Sequence, residues 1–74
     1  MTNLFDERFP TISEWIDSYG LIELGSHEYS SSMVRAIDPG GLVWEGKDQY
    51  KSIDAALQDL EKGLKEWMEE MGLI

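Results

Sequence analysis

The stretch that most constrains the fold is Met33-Val-Arg-Ala-Ile-Asp-Pro-Gly-Gly-Leu-Val-Trp-Glu-Gly46, which runs into a strongly amphipathic segment beginning near Ser52. Pro39 presets its own φ, and Gly40 and Gly41 accept positive φ, so a tight β-hairpin is expected between Met33–Asp38 and the strand that follows. The amphipathic segment places Ile53, Ala56, Leu57, Leu60, Leu64, Trp67, Met68 and Met71 on one helical stripe of nearly five turns. Such a helix must lie on something, and the hairpin before it is the nearest sheet. Ser52 is its expected N-cap and Gly72 its stop. Gly63 lies beside the stripe, where lacking a side chain permits close approach to strands. On the outer face Glu61 and Lys65 are spaced to pair, as are Lys62 and Glu66.

The hairpin register decides which residues share a face. A three-residue loop with Gly41 as a bulge sets Ala36 opposite Trp44, Arg35 opposite Glu45 and Ile37 opposite Val43. A two-residue loop pairs Arg35 with Trp44 instead, and that one-residue slip exchanges faces. The first register is favoured. Trp44 is buried or exposed according to this choice.

Upstream, Thr11 and Glu14 have the spacing of a capping box, with Pro10 just outside, and Ile12, Trp15, Ile16 and Tyr19 follow helical spacing. Gly20 is expected to end that helix in left-handed backbone. Leu21–Leu24 is a short strand with Ile22 and Leu24 on one face and Leu21 and Glu23 on the other. Residues 1–9 lack periodicity and are expected to form a partly ordered arm, with Leu4, Phe5 and Phe9 available to tuck against the body. The remainder, 10–74, reads as one α+β domain. Its order is helix, three strands, helix, with a three-stranded antiparallel meander and both helices packed on one sheet face.

Fifteen acids against six bases give a net charge of −9, the wrong sign for a phosphate backbone. The charge is spread evenly: residues 1–20, 21–50 and 51–74 each carry −3, from four acids and one base, five and two, and six and three. Direct binding to nucleic acid or to an anionic membrane is therefore not expected. No cysteine is available for disulfides or thiolate metal sites, and no window suits a membrane span or a leader, so a cytoplasmic protein is expected. At 42% hydrophobic residues the chain is too apolar to be disordered.

No catalytic constellation is legible. His27 stands beside Glu28 with Ser30, Ser31 and Ser32 nearby, but nucleophilic catalysis needs a base oriented by a third group on a rigid scaffold. Glu66, Glu69 and Glu70 share helical spacing, yet calcium requires six to eight oxygens and usually a loop to wrap it. The expectation is no enzyme, no metal and no cofactor.

Binding is the class left standing. One face of a three-stranded sheet is bare in this architecture, and Trp44, Ile37, Tyr29 and Tyr50 are available for an aromatic or apolar patch there. The expected protein-binding residues are Arg35, Ile37, Val43, Trp44 and Glu45, with Pro39–Gly41 at the hairpin tip. The partner is another protein or a second copy. The alternative is neutralisation of a basic protein, as an antitoxin or nucleic-acid mimic.

Three resemblances bear on these expectations. The element order resembles that of the double-stranded RNA-binding domain, which implies topology only, because Ser52-Ile-Asp-Ala-Ala-Leu57 carries an acid where that family places lysines. From Asp38 to Leu57 the chain resembles the strand-to-helix signature of HicB-type antitoxins. It differs by four inserted residues, Lys47–Tyr50, by an N-terminal helix before the sheet, and by lacking a later strand and a DNA-binding tail. As a whole the chain resembles short acidic hypothetical proteins of cyanobacterial type, a likeness that implies no activity.

Overall fold

The computed structural model describes residues 4–25 and 31–73. In chain order they form α1 (Leu4–Arg8), α2 (Pro10–Ser18), β1 (Leu21–Leu24), β2 (Val34–Asp38), β3 (Gly41–Glu45) and α3 (Ile53–Glu70). The strands make an antiparallel meander in the order β1-β2-β3. Helix α3 lies across β2 and β3, α2 lies against β1, and the two helices pack on each other. This is the expected α+β arrangement, with α1 as an added helical turn in the segment read as an arm. Phe9 is buried in the core. The side chains of Leu4 and Phe5 lie outside the described residues.

The core forms where the helical stripe meets the inward face of β2. Ala56, Leu60, Leu64 and Met68, each four residues apart, are fully buried against Val34 and Ala36. The ends of the expected stripe fall outside the core, since Ile53 is 70% exposed and Met71 is exposed. Length explains this: an 18-residue helix spans roughly 27 Å, whereas a five-residue strand spans about 17 Å, so both helix ends overhang. Ser52 caps α3 as expected, its Oγ accepting from the Ala55 N–H at 3.1 Å. At the other end the Gly72 N–H donates to Glu69 and the Leu73 N–H to Met68, with Gly72 at φ 76°, a closure that satisfies two terminal carbonyls.

Helix α2 starts differently from its sequence pattern. Pro10 is its first residue, the N-cap is Phe9 without any side-chain capping bond, and Glu14 is exposed. The acceptor comes instead from α3. Glu61 Oε2 takes the Thr11 N–H and Glu61 Oε1 the Ile12 N–H, each at 2.9 Å. Glu61 is thus half-buried between the helices, and neither Glu61 with Lys65 nor Lys62 with Glu66 forms an ion pair among the described residues.

Two glycines mark close backbone approaches. Gly20 does not adopt positive φ; a Cβ there would collide with the Ile37 carbonyl, so a side chain is excluded by the end of β2 rather than by helix termination. At Gly63 a Cβ would overlap the Trp44 indole, which lets α3 settle onto β3 as the sequence suggests. Trp15 completes the packing, edge-on to Trp67 with centroids 5.7 Å apart and stacked on Tyr19 at 5.6 Å. Its indole N–H donates to the Leu21 carbonyl at 3.2 Å.

Candidate functional site: the open face of the sheet

Strand alternation sends Val34 and Ala36 toward the helices and therefore sends Arg35 and Ile37 to the opposite face. Pairing carries that face across the sheet. Leu21 lies opposite Ile37 on one side, and Leu42 lies opposite Ile37 on the other. Leu21 is 49% and Leu42 56% exposed, while Ile37 between them is half-buried. The result is an apolar row running across all three strands, at the end of the sheet nearest the hairpin turn.

The register explains its composition. Arg35 opposite Glu45 and Ala36 opposite Trp44 are as expected, but Ile37 faces Leu42 rather than Val43, because the ladder shifts between Ala36 and Ile37 and leaves Val43 as the extra residue. A bulge lets consecutive residues point toward one face. Val43 and Trp44 both pack against the core cluster, and Leu42 is turned to the open face in their place. At the tip, Asp38 Oδ1 accepts from the Gly40 N–H at 2.8 Å, and Pro39 and Gly40 are exposed.

The adjacent row is polar and tightly bound. Glu23, Arg35 and Glu45 lie side by side across the strands. Arg35 is only 4% exposed. Its Nε donates to Glu23 Oε1 at 2.9 Å, one terminal nitrogen donates to the Ser32 carbonyl at 2.5 Å and to Ser32 Oγ at 3.1 Å, and the other reaches the Gly25 carbonyl at 2.5 Å. Ser32 Oγ donates in turn to Glu45 Oε2 at 3.0 Å. A planar guanidinium with five donors suits this task. Arg35 therefore joins the end of β1 to the residues entering β2, and presents almost no surface to a partner.

Of the five expected binding residues, Ile37 and Glu45 lie on the accessible open face, Arg35 lies on that face but is buried, and Val43 and Trp44 face the helices. Leu21 and Leu42 were missed. Leu21 had a signal, since alternation already set it apart from Ile22 and Leu24. Leu42 had none, because its face depends on where the bulge falls.

His27, Glu28, Tyr29 and Ser30 lie outside the described residues. Ser31 is exposed, and Ser32 is held by Arg35 and Glu45. Among the described residues no group of three or more His, Asp or Glu side chains could hold a metal ion, and no helix is long and apolar enough to cross a membrane. Tyr50 is half-buried and donates to Asp59 Oδ2 at 2.5 Å; burial, then the bond to Asp59, push its phenol above the ordinary value.

Comparison of the chain with protein-family models, curated proteins and solved structures finds no match.

Proposed function

We propose that this chain is a small, acidic, non-enzymatic interaction module that binds another protein through the open face of its sheet. The observation that carries this reading is the row Leu21, Ile37 and Leu42, apolar and partly exposed on the face opposite the helices. The row sits on a stiff base, because the Arg35 network fixes the neighbouring strand positions. Contact area comes from the leucines and isoleucine, while the next row, Glu23, Arg35 and Glu45, carries one net negative charge and favours a partner with a cation beside its own apolar spot. A reducing cytoplasm suits a chain without cysteine.

A second reading, neutralisation of a basic protein in the manner of an antitoxin, is favoured by the net charge of −9 and by the HicB-like stretch, whose residues form the hairpin turn, β3 and the entry to α3. The likeness to short acidic cyanobacterial proteins rests on size and charge and names no partner.

The test is affinity capture followed by mass spectrometry, with the wild-type chain and with Leu21→Asp/Leu42→Asp, at two half-exposed positions, with a thermal melt to verify that the variant is folded. A protein held by wild type and lost from the variant supports the face. A confirmed partner retained undiminished refutes it. Salt separates the two readings, since steering by net charge weakens steeply with ionic strength and an apolar contact weakens little.

A further inference from the structure

The six basic side chains divide into two groups. Arg8 is paired with Asp54 and Arg35 with Glu23. Among the described residues none of the four lysines joins an ion pair, although acids outnumber bases fifteen to six. Lys62 even has Glu66 at helical spacing and leaves it unused. Three of the four, Lys47, Lys51 and Lys62, line a single cleft of about 480 Å³ between the β3–α3 connection and the first turns of α3.

Tyr50 organises the cleft. Its hydroxyl accepts from the Lys47 N–H at 2.9 Å while donating to Asp59 at 2.5 Å, and the Lys47 ammonium stands 5.9 Å from the centre of its ring. These ties join the connection to α3 at a fixed distance. Asp59 is the one acid among the lining residues, and one of its oxygens is already engaged by Tyr50. Three lysines against one aspartate leave the lining positive inside a strongly negative molecule. Ala55, in the first turn of α3, puts the positive end of the helix dipole beside the same space.

We propose that this cleft binds a small phosphate-bearing anion. Its volume lies within the range of small-ligand sites. Lysines act as point charges and suit the compact, multiply charged phosphate group, while both arginines, whose fork reads carboxylate and phosphate alike, are committed elsewhere. The net charge of −9 disfavours a polymeric phosphate that extends beyond the cleft, and so selects for small size. The site is distinct from the open sheet face and does not depend on it.

The full chain is titrated with sodium pyrophosphate at constant ionic strength, held with sodium chloride, and followed by backbone amide NMR. Saturable shifts are expected at Lys47, Tyr50, Lys51 and Lys62. Lys51→Gln and Lys62→Gln are each expected to weaken binding about two- to fivefold, as for an exposed charge contact, with Lys65→Gln unchanged. All three lysines are exposed, so the variants fold, as a thermal melt verifies. A parallel titration with ribose 5-phosphate identifies the source: binding of both probes supports a terminal phosphate on an organic molecule, and binding of pyrophosphate alone supports a diphosphate. Shifts that merely track added salt, or the same affinity in the Lys51→Gln/Lys62→Gln double variant, overturn the proposal.

Discussion

Replacing Glu61 by alanine tests whether α2 is held by a residue of α3. The carboxylate accepts two backbone N–H groups at 2.9 Å, from Thr11 and Ile12, and both of those residues are buried. A buried donor left without an acceptor costs about 1–3 kcal/mol, and an acid at a helix N-terminus contributes about 0.3–1 kcal/mol through the dipole. Glu61 is half-buried, so water recovers part of this, and the expected loss is about 2–3 kcal/mol. A domain of this size has about 4–11 kcal/mol in total, so the melting temperature should fall by about 8–20 °C. Glu61→Gln keeps one acceptor oxygen and turns an amide donor toward the other N–H, and should lose about half as much. Glu14→Ala, which removes the local capping-box partner, should change stability by under about 0.5 kcal/mol. Urea unfolding followed by tryptophan fluorescence measures all three. A Glu61→Ala variant as stable as wild type, or a Glu14→Ala variant that loses more, refutes the assignment.

Gly63→Ala sets a helix-propensity gain of about 1 kcal/mol against overlap with the Trp44 ring, where overpacking costs about 1–3 kcal/mol; net destabilisation is expected, and combining it with Trp44→Leu should reverse the sign of the alanine effect in a double-mutant cycle. Arg35→Met leaves the Ser32 and Gly25 carbonyls and Glu23 without their donor and should cost about 3 kcal/mol or more in urea unfolding, with Arg35→Lys recovering little because one ammonium cannot span all three; full stability of the lysine variant would contradict this. Because the folded phenol of Tyr50 titrates above its unfolded value of about 10, the unfolded chain loses its proton first, so this contribution is intact below about pH 10 and fades as pH rises through the folded value. Tyr50→Phe should therefore show a shallower alkaline loss of urea stability than wild type, and parallel curves would count against it.

What was legible in the sequence was local. Ser52 as cap, Gly72 as stop, Gly63 as a close approach and the first two hairpin pairs each depend on residues within a few positions or on one periodicity. What was hidden depended on contacts made elsewhere. Whether the bulge falls at Gly41 or at Val43 is decided by Val43 joining the core, and that choice alone moves Leu42 onto the open face. Arg35 reads as a solvent-facing charge until the carbonyls of Gly25 and Ser32 are brought around it. Glu61 has a lysine at ideal helical spacing, and only the approach of α2 reveals the stronger claim of two unsatisfied N–H groups.

The acceptor for the start of α2 lies fifty positions further along the chain. The two N–H groups that open α2 are therefore satisfied only when α2 and α3 meet, so the start of one helix is a long-range contact rather than a local one. A change made at Glu61 is thus felt at Thr11 and Ile12, fifty and forty-nine positions away in sequence and one hydrogen bond away in space.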